Sequence, residues 1–567
     1  MLLGKGASPG ITLGKALIVE NETLNIEKKT IENTEIEKNK FLEAIKTSKE
    51  QLSKVRDKAS KELGEEKAAI FEAHLMILED PEMVDQTINK IENEKLNAAY
   101  AFQEIANQFI MIFEAMDNEY MKERAADIKD VSDRVLRNVL GETVVDLSML
   151  EKSVILIAND LTPSDTATMD KEKVLGFLTN IGGKTSHTAI MARSLEIPAV
   201  VGLGDITDKV KNRDFIIFNG ETGEVIISPN EEQIKKYKRL KESYENERKE
   251  LEKCKGKKSV TLDGREVELV GNIGTPKDIE GLLKNDAEGV GLYRTEFIYM
   301  DRDSMPTEEE QFESYKKVLE GLRDKPVVIR TLDIGGDKKL PYLKIDEEMN
   351  PFLGYRAIRL CLDKKEIFKT QLRALLRASV YGNLKIMFPM ISSLDELLAA
   401  KEILSETKKD LDTEGIAYAQ NIEVGMMIEV PSAALISDLL AKHVDFFSIG
   451  TNDLIQYTTA VDRMNEKIHH LYSPFNPGVL RLIKMVIDNG HKENIWVGMC
   501  GEAAGDEKMI PILLGMGLDE FSMSASSILP ARKIIRSLKV EDCKKISDKV
   551  LSMGSANEIE SYLKNIL

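Results

Sequence analysis

The sequence predicts a multidomain α/β protein in which a small α/β domain receives an inserted α-helical bundle and is followed by a (β/α)8 barrel of the TIM type. Three observations predict it. Eight short apolar runs alternate with helical stretches after residue 258; a block from Asn33 to Leu140 carries helical periodicity with almost no Gly or Pro; and strand-like runs flank that block on both sides.

The barrel rests on count, order and length. Its runs are Val267 to Ile273, Val290 to Tyr293, Pro326 to Ile329, Leu384 to Phe388, Val424 to Ile428, Val444 to Ile449, Ile495 to Met499 and Glu520 to Met523, spread over about 300 residues. In the helical block, Ile36, Leu42, Ile45, Leu52, Val55 and Ala59 recur at helical steps with mostly Lys and Glu between them, which makes one long amphipathic helix. Further helices are expected at Glu65 to Glu79, Pro81 to Glu94, Ala98 to Met116 and Tyr120 to Val139. Ala16 to Val19, Ser153 to Ala158, Val174 to Leu178, Ala199 to Val201, Phe215 to Asn219 and Glu224 to Ile227 read as strands of the small domain. Pro229 to Lys255 is rich in Lys and Glu and reads as a solvated linker helix. The resulting boundaries are 1–20 and 145–228 for the α/β domain, 21–144 for the bundle, 229–258 for the linker helix and 259–567 for the barrel.

Composition narrows the function classes. A chain of 567 residues needs several cores, and 42% hydrophobic with 31% charged residues is the balance of a folded, well-solvated protein. A formal net charge of −18 opposes nucleic-acid binding, which needs surplus Lys and Arg, and suits a basic protein partner. No charged leader precedes an apolar run, and nowhere do about 18 apolar residues follow one another, so neither export nor membrane insertion is expected. Cys254, Cys361, Cys500 and Cys543 lie far apart without C-x-x-C spacing, which signals no zinc site or disulfide framework and points to reducing cytoplasm.

Residues just after barrel strands belong to the face where such barrels carry their active sites. Here they are Arg294, then Arg330 with Thr331 and Asp333, Glu429, Asn452 with Asp453, and Cys500 with Glu502, while Arg356, Arg359 and Arg463 fall in nearby loops or helix starts. Guanidinium forks suit phosphate and carboxylate, and hard carboxylate oxygens suit Mg²⁺, so the expected substrate is small, phosphorylated and strongly anionic. Taken singly, each such Arg or Glu could be structural, and Cys500 alone could be an inert buried thiol; it is their joint placement that points to chemistry.

A second constellation runs from Gly182 to Arg193, GGKTSHTAIMAR. Two glycines allow a sharp turn, Thr185 and Ser186 offer helix caps, and a helix is expected from Ala189 to Arg193. His187 would sit at the helix entrance, where free amides and the macrodipole stabilise an anion such as a phosphorylated imidazole. His74 lies on an apolar helix face and is an interface candidate; His443, His469, His470 and His491 read as surface or satisfied groups.

These segments resemble a known family. GGKTSHTAIMARSLEIPAVVG is similar to the phosphohistidine signature of enzyme I of the bacterial phosphoenolpyruvate:sugar phosphotransferase system, and GLYRTEFIYMDRD, VIRTLDIGGDK, GMMIEVPSA, FFSIGTNDLIQYTTAVDR and GMCGEAAGD resemble its phosphoenolpyruvate-binding barrel. Essentially the whole length matches. The resemblance implies that His187 is phosphorylated on Nε2 by phosphoenolpyruvate, that pyruvate is released, and that the phosphoryl group passes to a histidine of the carrier protein HPr. It implies Arg294 and Arg330 as phosphate-binding residues, Asn452, Asp453, Arg463, Lys338 and Arg356 as further substrate contacts, and Glu429 and Asp453 as ligands of Mg²⁺, with Mn²⁺ a substitute. Cys500 matches the proton donor to the enolpyruvate carbon. Thr166, Asp127, Thr185 and Ser186 are implied near the phosphohistidine, and Glu65, Glu66, His74, Leu75, Met76, Asp80, Glu82 and Arg124 on the HPr-binding face. Lys184 stands where many relatives have Arg, which keeps charge and loses the fork.

The same resemblance implies homodimerisation through the C-terminal barrel domain, and a swivel of the α/β domain that carries His187 between substrate and carrier. The absence of a sensory segment before MLLGKGASPG points to the sugar branch rather than the nitrogen branch. Two alternatives stand beside it: an enzyme like phosphoenolpyruvate synthase or pyruvate phosphate dikinase, which also needs an ATP-binding domain that no Walker-type loop signals here, and a non-catalytic regulatory relative.

Overall fold

Within residues 2–566, the computed structural model describes all but 20–25, 64, 115–118, 142–149, 151, 162–168, 171, 184–185, 196, 301, 336–339, 341, 344–345, 347 and 466; the side chains of 58–59, 61–70, 119–123, 126, 187, 190 and 194 also lie outside the description. The chain forms two compact units, Met1–Arg248 and Lys249–Leu567.

In the first unit, β1 (Leu2–Leu3), β2 (Lys5–Ser8), β3 (Ile11–Val19), β4 (Val154–Ala158), β5 (Val174–Thr179), β6 (Ala199–Val201), β7 (Phe215–Asn219) and β8 (Glu224–Ile227) make one sheet in the order β1-β8-β7-β3-β4-β5-β6-β2. β3 pairs with β4 in parallel, Val19 opposite Ala158, and with β7 antiparallel. It begins at Ile11, five residues before the expected Ala16, and β1 and β2 were not expected at all. Fully buried Leu156, Phe177 and Ala199 pack on one side of the sheet and Ile155, Leu178 and Val200 on the other, as the two-residue period of a strand requires.

Between β3 and β4 lie five helices, α1 (Thr34–Leu63), α2 (Glu65–Leu78), α3 (Pro81–Glu94), α4 (Ala98–Glu114) and α5 (Glu119–Leu140). The buried stripe of α1 runs through Phe41, Ala44, Ser48, Leu52 and Val55, with Phe41 meeting Phe102 of α4 at 5.3 Å between ring centroids. Ile36 and Leu42, expected on that face, are exposed instead, because the bulkier Phe41 sets the phase of the helix. α3 starts as its sequence dictates: Asp80 accepts a hydrogen bond from the Glu82 amide at 2.8 Å and Pro81 fills the first turn.

A helix at Glu231–Glu252 follows β8. It is mostly solvated, but Tyr237 is buried against Ile217 and Ile226 and donates to Glu224 Oε2 at 3.2 Å, which seats its first turns on the sheet.

The second unit is a closed barrel of eight parallel strands: β9 (Glu268–Ile273), β10 (Val290–Arg294), β11 (Pro326–Arg330), β12 (Asn383–Phe388), β13 (Glu423–Ile428), β14 (Phe446–Ile449), β15 (Trp496–Met499) and β16 (Glu520–Met523), each hydrogen-bonded to the next, with β16 closing on β9. All eight expected runs are strands. Near-continuous apolar strands of this kind are buried on both faces, which a parallel sheet wrapped by helices provides.

Candidate active site

The carboxyl-terminal ends of β10, β11, β13 and β14 carry an alternating series of charges. Arg330, the last residue of β11, is 5% exposed and pairs through Nη2 with Glu296 Oε1 and through Nη1 with Asp333 Oδ2, both at 2.9 Å. Asp333 Oδ1 accepts from Arg356 Nη2 at 2.8 Å; Arg356 Nη2 in turn lies 3.9 Å from Asp453 Oδ2, and Arg463 Nη1 lies 3.7 Å from Asp453 Oδ1. One continuous chain of acid and base thus runs from Glu296 to Arg463. Burial opposes the charge on Arg330, but Asp333, Glu296 and Glu429 outweigh it and hold the guanidinium protonated. Arg356 is held protonated against burial in the same way by Asp333 and Asp453.

Local backbone features make this packing possible. Gly335 has φ +118°, and a Cβ there would stand 2.3 Å from the Arg356 Cβ, so only glycine lets the loop after β11 approach Arg356. The Ala357 amide then donates to the Ile334 carbonyl at 3.0 Å, tying the two loops together. Phe352 lies beneath both outer guanidinium groups, 5.8 Å from Arg356 and 5.9 Å from Arg463.

Glu429 follows β13 directly, is 1% exposed and accepts from the Met390 amide at 2.6 Å. Burial, reinforced by Asp453 and Asp333, pushes its carboxyl up to about 8. Asp453, on the helix Thr451–Thr459 after β14, is 7% exposed, and its Oδ1 has no hydrogen-bond partner among the described residues. Two buried carboxylates, one with an unsatisfied oxygen, form a donor set suited to a divalent cation. Asn452 donates to Glu502 Oε1 at 3.5 Å. Arg294 ends β10 exposed and has no ion-pair partner among the described residues, which leaves its fork for an anion from solvent.

Cys500 follows β15 and is 4% exposed, in a layer with Leu292, Val328, Met387, Met427 and Phe446. Burial pushes its thiol up to about 12, so it carries its proton throughout the physiological range.

In the first unit, the helix His187–Leu195 starts two residues before the expected Ala189, placing His187 at its first position. Gly182 turns the chain with φ +115°. Ser186 Oγ donates to the Gly183 carbonyl at 2.8 Å and accepts from the Ala189 amide at 3.3 Å, which caps the helix. Thr188 Oγ1 bonds Asp160 Oδ1 at 2.9 Å and Arg193 Nη1 bonds the Ala7 carbonyl at 3.0 Å, locking the helix on the sheet. Thr166, Thr185 and Lys338, and the side chains of His187, Glu65 and Glu66, lie outside the described residues.

On the bundle, Met76 is 65% exposed, Asp80 and Glu82 are exposed, and Leu75 and Arg124 are half-buried. His74 is not part of that surface. It is fully buried, its Nε2 3.2 Å from Asp127 Oδ1 and its Nδ1 3.7 Å from Asp130 Oδ2, because two inward carboxylates of α5 need a partner there. Asp127 also faces Arg124 Nη1 at 3.6 Å. The expectation that His74 touches a docked protein is therefore corrected to a role within the core.

Sequence reasoning did not single out Glu296, Phe352, Tyr457 or Gln371. Tyr457 accepts from Arg356 Nη1 at 3.2 Å, and buried Gln371 accepts from the Leu332 amide at 2.8 Å while donating to Thr295 Oγ1 at 3.1 Å, fixing the start of the loop after β11. Glu296, two residues beyond the end of β10, carried the same strand-end signal as Arg294.

Three family models match the chain: PEP-utilising enzyme, N-terminal, over residues 3–124; PEP-utilising enzyme, mobile domain, over 150–223; and PEP-utilising enzyme, PEP-binding domain, over 248–540. Among curated proteins it is similar to the phosphoenolpyruvate-protein phosphotransferase of Staphylococcus carnosus, 56% identical over 566 residues and 99% of each chain. That of Priestia megaterium is 57% identical over 562 residues, covering 99% of this chain and 98% of the relative. That of Bacillus subtilis is 56% identical over 563 residues and 99% of each. With this identity along nearly its full length and with the barrel rim described above, the chain belongs to the phosphoenolpyruvate-protein phosphotransferase family of PEP-utilising enzymes.

Proposed function

We propose that the chain takes the phosphoryl group of phosphoenolpyruvate onto His187 Nε2, releases pyruvate, and passes the group to a histidine of HPr. The observation that carries this reading is the alternating Arg–acid series on the barrel rim, which ends in the Glu429 and Asp453 pair. Arg294 and Arg330 bind the phosphate, with Arg356, Arg463, Asn452 and Lys338 as further contacts. Because Arg330 and Arg356 are already oriented by Asp333, little ordering entropy remains to be lost when the anion arrives.

Glu429 and Asp453 would hold Mg²⁺, with Mn²⁺ as a substitute. Two carboxylates completed by water and substrate phosphate oxygens are a common donor set for that ion. When bound, the ion would neutralise phosphate charge during transfer. The neutral His187 imidazole attacks phosphorus in line as the phosphorus–oxygen bond to the enolate breaks. The enolate carbon takes a proton from the Cys500 thiol, which recovers it from solvent. Positioning and charge neutralisation supply most of the acceleration, as in phosphoryl transfer generally.

The bundle α1 to α5 is the docking element for HPr, through Met76, Leu75, Asp80, Glu82, Arg124, Glu65 and Glu66; acidic and apolar groups there suit a basic partner. Asp127 holds His74 within that element, while Ser186, Thr185 and Thr166 serve the phosphohistidine. We further propose a homodimer through the barrel domain and a cytoplasmic location. Among the described residues, no helix is long and apolar enough to cross a membrane, and all four cysteines are buried and free. Nothing favours the ATP-dependent alternative, since the relatives that match along their whole length are protein phosphotransferases, and the charged rim is intact, against a non-catalytic relative.

The test is to mix the purified chain with labelled phosphoenolpyruvate, Mg²⁺ and HPr. Label should appear on HPr, and EDTA should suppress it; transfer that persists unchanged in EDTA would remove the metal from the reading. Cys500→Ala is expected to slow pyruvate formation by roughly 10²-fold or more, the usual scale of general-acid catalysis, while burst labelling of His187 survives. Pyruvate formation at the parental rate would exclude the thiol as donor.

A further inference from the structure

The opposite, amino-terminal mouth of the barrel contains a cavity of about 540 Å³ that the phosphotransfer reaction does not use. Several strands begin at charged or aromatic residues there: Glu268 on β9, Glu423 on β13, Trp496 on β15 and Glu520 on β16. Acidic groups dominate its lining, so the first question is which of them already have a cation.

Most do. Glu266 pairs with Lys258 at 2.6 Å, and Asp519 pairs with His491 at 2.7 Å and with Arg265 at 3.3 Å. Glu288 accepts from Ser259 at 2.8 Å and from the Leu269 amide at 2.6 Å, with Arg532 at 3.5 Å. Glu423 pairs with Lys385 at 3.0 Å, and the Lys385 ammonium lies 4.4 Å over the Trp496 ring.

Glu268 and Glu520 are the exceptions, with no ion-pair partner among the described residues, and they are direct register neighbours on adjacent strands. Like charges placed opposite one another repel. Glu520 is 2% exposed, and its Oε1 is buried with no hydrogen-bond partner among the described residues. Burial, followed by the repulsion of Glu268, pushes the Glu520 carboxyl up to about 8. Partial desolvation of its carboxyl likewise raises Glu268, although the residue as a whole is exposed. An unsatisfied buried carboxyl costs stability unless a donor reaches it. Holding that carboxyl beside a second, exposed carboxylate at the wall of a cavity points to a ligand that supplies donors and positive charge.

The chemistry of the wall selects the ligand class. Among the described residues, no group of three His, Cys, Asp or Glu side chains could hold a metal ion, and the space far exceeds that of a dehydrated cation. Trp496 and Val267 supply apolar wall for methylene groups, and Lys385 already shows the cavity accommodating an ammonium between carboxylate and indole. We propose that the amino-terminal mouth of the barrel binds a small aliphatic amine, with its ammonium group between Glu268 and Glu520.

The proposal is independent of the phosphotransfer reading, and its test reads binding rather than activity. 1,4-Diaminobutane is titrated calorimetrically into the full-length chain at pH 8.5, against a sodium chloride blank of matched ionic strength. Saturable binding is expected, weakened at least tenfold in Glu520→Gln. Glu268→Gln, at an exposed position that tolerates the change, should weaken it comparably, which guards against a folding defect in the first variant. Absence of saturable heat with the parental chain, or affinity unchanged in both variants, overturns the proposal. So does full displacement of the amine by equimolar magnesium chloride, which would reassign the cavity to metal.

Discussion

Replacing His187 with alanine is expected to abolish labelling of the chain by phosphoenolpyruvate, a loss of roughly 10⁴-fold or more, the scale seen when a nucleophile is deleted. The reason is stoichiometric: the proposed intermediate is one nitrogen–phosphorus bond, and no described side chain near the start of the helix His187–Leu195 offers an equivalent lone pair. Because that helix belongs to the unit Met1–Arg248 and the charged rim to Lys249–Leu567, the alanine variant should still bind phosphoenolpyruvate with affinity within about threefold of the parent, since additive behaviour is the rule for independent sites. Equilibrium binding and gel autoradiography measure the two halves. Acid-labile label on the variant would overturn the assignment.

The second large effect separates two arginines that the sequence treats alike. Arg330→Met should destabilise the barrel unit by about 3–5 kcal/mol, because it leaves the buried carboxylates of Glu296 and Asp333 without their shared cation. Arg294→Met should change stability by less than about 0.5 kcal/mol, since that side chain is exposed and unpaired among the described residues. Both should lose phosphoenolpyruvate-dependent labelling. Denaturant unfolding of each variant decides the matter: equal stabilities would mean that Arg330 is not the electrostatic keystone its contacts indicate.

This contrast shows where legibility in the sequence ends. All eight barrel strands could be read, because buried parallel strands appear as apolar runs and the chain order of a (β/α)8 barrel leaves little freedom. Residues at the strand ends followed from the same rule. What could not be read was which of those residues meet: Arg356 and Asp333 are 23 positions apart and touch only because Gly335 admits a close approach. Glu296 carried a strand-end signal, but its pairing was hidden for the same reason, Arg330 being on the next strand. In the bundle, periodicity found the helices but not their phase, so Ile36 and Leu42 were placed inward, and His74, read on an apolar helix face, was expected at an interface rather than inside the bundle. Lys- and Glu-rich helices carry weak phase information, and tertiary packing of Phe41 and the two carboxylates of α5 decides it. β1 and β2 were missed because Leu2–Leu3 is too short and Lys5–Ser8 lacks branched or aromatic residues.

The parallel pairing of β3 with β4 has a consequence for how such a molecule can diversify. Neighbouring parallel strands always need a return connection, normally one helix, and here α1 to α5 occupy that place. The entropy of closing a longer connection grows only logarithmically, so this helical bundle can lengthen, shrink or be rebuilt while the strands at its root keep their register. New specificity can therefore arise in the proposed docking bundle without disturbing the strands beside the helix that His187 begins.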